Sequence, residues 1–463
     1  MTPRLFLSAA HKSSGKTTVS IGIAAAFAAR GLAVQTFKKG PDYIDPMWLA
    51  RASGRPCFNL DFNTQTHAEI AASMASRAAG ADLALIEGNK GLHDGVDLQG
   101  KDSSAALAKL VAAPVILVID TLGMTRGVAP LVLGYQAFDP AIRIAGIILN
   151  KVGTPRQEAK VRQAIEHYTP IPVLGALPRD GAFAIEERHL GLMTPMEQPA
   201  SRVAVEKLRR AIESGIGLDG LLDIAKSAPP LPATARPAPE AALQDVRIAI
   251  ARDSAFGFYY PDDLEAFERL GAKLRFFDAL TDTRLPDADG LFIGGGFPET
   301  QAAQLEANAS LRADISRKIR LGLPAYAECG GMMYLARSIR WGEACYAMAG
   351  VIPADAVMHA KPQGRGLAVL EETADAPWPG GTSEPSRIPA HEFHHASLEN
   401  LEPSLRFAYK VMRGTGIGAG RDGIVLGNLL ANFCHLRSAA GNHWVERFLR
   451  FVREQRSGTI QAA

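Results

Sequence analysis

From residue 4 to about residue 180, short β-branched runs alternate with alanine-rich amphipathic stretches: LFLSA, VSIGIAAAFAARG, AVQTFKK, LALIEG, PVILVID, IAGIILNKV and PVLGALP. Few architectures accommodate that rhythm. Strands that read as continuous apolar runs need cover on both faces, and the helical stretches between them supply it. The pattern therefore predicts a parallel sheet wrapped by helices, an α/β fold. Near residue 226 the rhythm stops, and KSAPPLPATARPAPEAALQ, rich in proline with little apolar periodicity, reads as an extended linker. After it VRIAIARD restarts a strand, DDLEAFERLGA reads as a helix ending at a glycine, and KLRFFDAL, GLFIGGG and PAYAECGG supply strands and tight turns. We expect an N-terminal domain over 1–225, a linker over 226–245 and a second α/β domain over 246–455.

Composition narrows the possible roles. With 463 residues, 47% of them hydrophobic, the chain can bury a core in each domain. Fifty Lys plus Arg against 48 Asp plus Glu leave a formal charge of +2, so no global field recruits nucleic acid or a membrane surface. Specificity must come from local sites. Cys57, Cys329, Cys345 and Cys434 are too scattered to staple a domain, which fits a reducing compartment. The most apolar stretch, Leu110 to Thr121, is broken by Pro114 and Asp120, and the opening MTPRLFLSAAHKSSGKTT lacks the long apolar segment of a signal peptide. A cytoplasmic protein is expected.

Ala10-His-Lys-Ser-Ser-Gly15-Lys16-Thr17 has the spacing of a phosphate-binding loop, with Ala10 in place of its first glycine. It lies between a strand and a helix, where backbone N–H groups and the helix N-terminus meet phosphate oxygens. Ser13, Ser14, Gly15, Lys16, Thr17 and Thr18 are the nucleotide-binding candidates, with Lys16 as the point charge and the Thr17 hydroxyl as a magnesium ligand. Two further segments follow strands: Lys38-Lys39-Gly40-Pro41-Asp42-Tyr43-Ile44-Asp45-Pro46 and Glu87-Gly88-Asn89-Lys90-Gly91-Leu92-His93-Asp94-Gly95. Ligands of doubly wound sheets collect beyond the carboxyl ends of strands. Asp45 and Glu87 are candidate Mg2+ ligands, and Lys38 or Lys39 a candidate phosphate partner. The competing reading makes Asp42 and Asp45 turn caps and Glu87 a helix cap. Asn150, ending ILN, is a candidate for contact with the nucleotide base.

In the second domain, Tyr326-Ala327-Glu328-Cys329-Gly330-Gly331 places a thiol on a strand-to-helix turn, where a helix N-terminus is expected to lower its pKa. His435 is the candidate base, and the amides of Gly294-Gly295-Gly296, chiefly Gly295 and Gly296, are the candidate oxyanion hole. The competing reading is a buried cysteine acting as a small hydrophobe. His391-Glu392-Phe393-His394-His395 has the i, i+4 spacing of a zinc helix, but Pro389 and the aromatic run predict a strand instead.

SSGKTT, FKKGPDYIDP, NLDF at 59–62, EGNKGLHDG, ILNKV, ERHLGL at 187–192, the Pro-rich join, AECGGMMYL and HEFHHA resemble, in order and over nearly the whole chain, the cobyrinic acid a,c-diamide synthase family. The resemblance implies a dethiobiotin-synthetase-like P-loop ATPase domain joined to a class I (triad) glutamine amidotransferase domain. It also implies ATP, Mg2+ and L-glutamine, a tetrapyrrole polycarboxylate as substrate, and a homodimer. Cys329 and His435 would release ammonia from glutamine, while the first domain activates the a and c acetates of cobyrinic or hydrogenobyrinic acid. Relatives amidating sirohaem or another acetate-bearing tetrapyrrole share these motifs. Asp42, Tyr43, Asp94, Arg188 and His189 are the candidate substrate contacts. Three positions depart from the pattern: Arg437 stands where many triad enzymes place a glutamate, Phe433 where a tyrosine is common, and Asn89-Lys90 where an apolar residue precedes methionine. The third member of the cysteine–histidine site is unassigned. A non-catalytic P-loop partner with a binding module for its second half is the alternative from a different class.

Overall fold

The computed structural model describes residues 2–183, 185, 187–188, 191–198, 200–231, 246–380, 387–439 and 441–462. The chain forms two compact units, Met1–Pro237 and Ala238–Ala463. Most of the proline-rich segment, residues 232–245, falls outside the described residues. Among those described, no helix is long and apolar enough to cross a membrane.

The first unit carries the expected parallel sheet. Its strands are β1 (Arg4–Ala9), β2 (Val34–Lys39), β3 (Phe58–Leu60), β4 (Leu83–Glu87), β5 (Val115–Asp120), β6 (Ile144–Val152) and β7 (Val173–Pro178), in the spatial order β3-β2-β4-β1-β5-β6-β7. Every pairing is parallel. Side chains alternate between two apolar layers. Phe6, Ile86 and Leu117 join the core on one face, while Leu5, Leu7, Leu85 and Val118 join the core on the other. The chain builds one side of β1 first and then crosses to β5, so the sheet's switch point lies beside β1. The loop leaving β1 therefore opens into the crevice where such sheets bind ligands.

The second unit is built on a nine-stranded mixed sheet. Five strands are parallel: Lys273–Phe277, Arg247–Ala251, Gly290–Ile293, Ala325–Glu328 and Leu429–Asn432, in that spatial order. Four antiparallel strands continue it: Arg421–Leu426, Arg406–Arg413, Gly364–Glu372 and Arg387–His394. On one face Phe292 stacks on Tyr326 at 5.3 Å, and Trp378 and Trp444 close round the same tyrosine. This aromatic layer is buried and anchors the two strands whose ends carry the thiol and the histidine.

Candidate active sites

In the first unit, Ser13 to Thr18 occupy the junction between β1 and α1 (Lys16–Ala29). Gly15 has φ +83°, and a β-carbon there would collide with the Asn150 carboxamide, so only glycine fits. The loop carbonyls are tied down by the protein. Ser14 Oγ donates to His11 O at 2.8 Å, Asn150 Nδ2 to Ser14 O at 2.8 Å, and Lys151 Nζ to Ser13 O at 2.8 Å. Asn150, expected at a base, holds the loop. No side chain caps α1, which leaves its leading N–H groups for an anion.

A ring of charge stands beside the loop. Glu87, the last residue of β4, accepts from Lys16 Nζ at 2.7 Å, Lys38 Nζ at 2.8 Å and Thr17 Oγ1 at 2.8 Å, all on Oε1. Asp45, in the first turn of α2 (Ile44–Ser53), accepts from Thr17 Oγ1 at 3.2 Å and also pairs with Lys38. Burial alone would raise the Glu87 pKa, yet the two ammonium groups hold it at about 2. Lys38 rises well above the ordinary lysine value despite its burial, because Asp45, Glu87 and Asp42 face it. Burial lowers Lys16, and Glu87 offsets part of that loss.

Asp42 caps its turn, as the competing reading has it. Its Oδ1 accepts from the Ile44 and Asp45 amides at 3.0 and 3.1 Å, while its Oδ2 lies 3.7 Å from Lys38 Nζ. Burial and the neighbouring Asp45 raise it to about 6. Asp45 and Glu87 serve the charged ring rather than capping. Asn59, quoted above only within NLDF, donates to Gly40 O at 2.7 Å and Asp42 O at 2.8 Å and so fixes this loop. Tyr43 is buried at the start of α2, and Asp94 accepts from Gly91 N at 2.9 Å within its own turn. Arg188 lies in a two-residue strand whose side chains are not described, and His189 falls outside the described residues.

The ring suits a hard divalent cation. Asp45 Oδ2 and Glu87 Oε1 each accept from both the Thr17 hydroxyl and the Lys38 ammonium, and the buried Glu87 Oε2 has no hydrogen-bond partner. Two carboxylates and a hydroxyl are the donors expected where phosphates and water complete a Mg2+ shell. Among the described residues no group of three or more His, Cys, Asp or Glu forms a metal cage. The histidines of His391–His395 accordingly lie on and just after the strand Arg387–His394.

In the second unit, Cys329 follows the strand Ala325–Glu328 and precedes the helix Gly330–Leu335 with φ +47° and ψ −105°, a sharp turn that presents its side chain at the strand end. Its amide donates to Asn432 O at 2.7 Å, extending the pairing of the two neighbouring strands. A β-carbon on Gly331 would strike the Ile293 carbonyl, so the helix reaches its seat only with glycine there. His435 arrives three residues beyond the adjacent strand. His435 and Gly330, the residue after Cys329, bracket the short strand Gly295–Gly296: a β-carbon on Gly295 would stand 2.5 Å from His435 Cε1, and one on Gly330 would stand 3.1 Å from Gly296 N. The structure thus gathers Cys329, His435, Gly295 and Gly296. Gly294 drops out of the oxyanion set, since its N–H donates to Tyr259 Oη at 3.0 Å.

One expectation is reversed. Burial pushes the Cys329 thiol above its ordinary value, and the Glu299 and Glu328 carboxylates add to this, outweighing a hydrogen bond from Gly330. The resting group is a thiol, so catalysis requires a base to take its proton. His435 is held for that task by residues that sequence reasoning passed over. Its Nδ1 lies 3.2 Å from Glu328 Oε2, and its backbone pairs with His391, whose carbonyl accepts from His435 N at 2.7 Å. Asp422 accepts from the Phe433 and Cys434 amides at 3.0 Å each, fixing the approach to His435. Phe433 stacks on His394 at 3.9 Å between centroids, which gives HEFHHA a role as the wall behind the histidine. Burial and His435 push His391 down to about 3, so it is neutral.

The CobQ/CobB/MinD/ParA nucleotide binding domain family matches residues 8–192, and the CobB/CobQ-like glutamine amidotransferase domain family matches residues 247–443. Along nearly its full length the chain is similar to proteins named cobyrinate a,c-diamide synthase. That of Magnetococcus marinus is 46% identical, with 98% of each chain covered. That of Methanosarcina acetivorans is 40% identical, covering 95% of this chain and 93% of that one. That of Methanosarcina barkeri is 37% identical, covering 99% and 97%.

Proposed function

The chain belongs to the cobyrinate a,c-diamide synthase family, and from that premise we propose that its two sites carry out one ATP- and glutamine-dependent amidation of the a and c acetates of cobyrinic or hydrogenobyrinic acid in cobalamin biosynthesis. The observation that carries this reading is the pairing, in one chain, of a thiol–histidine site with a phosphate loop ringed by lysines and carboxylates.

A carboxylate resists attack by ammonia, so it must first be activated. The leading amides of α1 and the Lys16 ammonium bind the ATP phosphates, and Lys38 offsets charge on the transferred phosphoryl group as the acetate oxygen takes it, leaving ADP and an acyl phosphate. Thr17, Asp45 and Glu87 would hold Mg2+, which when bound neutralises phosphate charge. In the second unit His435 takes the Cys329 proton, and the sulfur attacks the glutamine side-chain amide carbon. The amides of Gly295 and Gly296 receive the developing oxyanion. Collapse returns the proton to the leaving nitrogen, releasing ammonia and a glutamyl thioester, which water cleaves to glutamate and free thiol. Ammonia then displaces phosphate from the acyl phosphate to give the amide. Asp42, Tyr43 and Asp94 adjoin the loop on segments that would meet the tetrapyrrole carboxylates.

Mass spectrometry of products tests the reading, with the protein incubated with ATP, Mg2+, glutamine and, separately, cobyrinic acid, hydrogenobyrinic acid and sirohaem. Two successive exchanges of hydroxyl for amino on a corrinoid are expected. Amidation of sirohaem alone would move the protein to a different pathway.

A further inference from the structure

The position two residues after His435, where a triad carboxylate is commonly found, holds Arg437. That guanidinium is buried, pairs with Asp262 at 2.8 Å and lies over the Tyr260 ring at 4.9 Å, so it is spent on the start of the helix Pro261–Arg269. The histidine's carboxylate comes instead from the residue immediately before the nucleophile. Along the strand Ala325–Glu328, alternation puts Tyr326 and Glu328 on one face, while Ala325 and Ala327 join the core on the other. Glu328 thereby turns toward the segment after Asn432. Its Oε2 meets His435 Nδ1 at 3.2 Å, and its Oε1 accepts from Tyr326 Oη at 2.6 Å and from Leu436 N at 2.9 Å. Tyr326 Oη is in turn approached by Asn432 Nδ2 at 3.3 Å. The carboxylate is buried and its orientation is fixed from two sides, so its remaining oxygen is aimed at the imidazole.

We propose that Glu328 is the positioning residue for His435, completing the thiol–histidine site with a carboxylate supplied by the nucleophile's own strand. By accepting a hydrogen bond from Nδ1–H it selects the tautomer whose Nε2 carries the lone pair that takes the Cys329 proton, and its charge stabilises the imidazolium that then forms. The proton moves only between Cys329, His435 Nε2 and the departing ammonia, and none passes to Glu328. The other ionisable groups that face the pair include Glu299 and Asp422, which with Glu328 disfavour the thiolate, the neutral His391, and Asp263, Tyr259, Tyr326 and Tyr409, each raised in part by the Glu328 charge. The glutamate and cysteine of AECGG thus form a functional pair set by strand geometry.

This inference rests on the glutamine-hydrolysing reading above. The test is steady-state glutaminase kinetics on the full chain. Glu328→Gln keeps the side chain's shape but removes its charge, and kcat should fall ~10²–10⁴-fold, with KM for glutamine within about twofold of the parent. The acidic limb of kcat/KM should move to lower pH, because an imidazolium without its carboxylate gives up its proton more readily. Glu328→Asp should recover part of the rate and part of that shift. Tyr326→Phe, which loosens the carboxylate without discharging it, should cost a few-fold in kcat and leave the limb in place. A Glu328→Gln enzyme within about threefold of the parent kcat and with an unmoved limb would overturn the inference while parental glutaminase activity stands. A parent enzyme with no glutaminase activity overturns both readings together.

Discussion

The two sites share an address and differ in state. Each lies at the carboxyl ends of parallel strands, one after β1 and β4, the other after Ala325–Glu328 and Leu429–Asn432. The first holds full charges that neutralise one another before any ligand arrives, with Lys16, Lys38, Asp45 and Glu87 in contact. The second keeps its nucleophile protonated in a buried turn. The difference follows from what each receives. A polyphosphate arrives charged and can replace existing ion pairs, so charge prepared in advance costs little when it binds. Glutamine arrives neutral, and charge there should appear only as the thiol gives up its proton.

The comparison breaks most visibly at the nucleophile. Cys329→Ala should lower glutamine-supported amidation at least ~10³-fold while ammonium salt still supports it, measured by product mass spectrometry in parallel assays. Loss with both nitrogen sources would mean that the two sites are not chemically separable. Next, Lys16→Ala should cut tetrapyrrole-dependent ADP release ~10²–10³-fold, with glutamine hydrolysis retained; equal loss of both would make the charged ring a support for the whole chain. A smaller effect is expected in folding. Gly331→Ala forces a methyl group against the Ile293 carbonyl and should cost about 1–3 kcal/mol, seen as an earlier denaturant transition in the second unit alone.

The smallest effect is pH-dependent and belongs to the charged site. Asp42 is raised from 3.8 to about 6, so the folded chain binds its proton more tightly than the unfolded chain does. Stability then declines as pH rises from 3.8 through 6, and the cost is complete above that value. Asp42→Asn retains the Oδ1 acceptor of the turn and removes that cost. Its stability should gain on the parent's across this interval, by on the order of 1 kcal/mol at neutral pH, read as a rise in thermal midpoint. A difference that does not change with pH would show that Lys38 already compensates Asp42 fully.

What the sequence disclosed follows the reach of each interaction. The strands of the first unit were legible because burial on both faces writes them as unbroken apolar runs, and Ser13 to Thr18 because a phosphate loop is contiguous. Asp45 and Glu87 stood out as candidates because their segments lie at or beyond strand ends in a fold whose ligand crevice is known in advance. Glu328 was in plain view within AECGG, yet its partner stands 107 residues away. The usual triad spacing points to the residues after His435, and only strand alternation combined with the neighbouring strand's register reveals the contact. The state of the thiol is hidden for a related reason. A short helix N-terminus is visible in a sequence, whereas the burial that outweighs it is not. Asn150 and Asn59 were hard to assign because an asparagine within a strand reads the same whether its amide meets a ligand or a loop carbonyl.

The turn at Cys329 carries a further consequence. Glu328 and Cys329 are consecutive residues at the end of one strand, and that strand is aligned with its neighbour through Glu328 opposite Asn432. A slip of one residue would put the carboxylate where the sulfur belongs and move the sulfur away from the imidazole. A molecule folded out of register therefore does not work slowly; it lacks the reaction. Glutamine turnover per mole of protein is thus a count of correctly threaded chains, and a preparation can be graded by it without any structural probe.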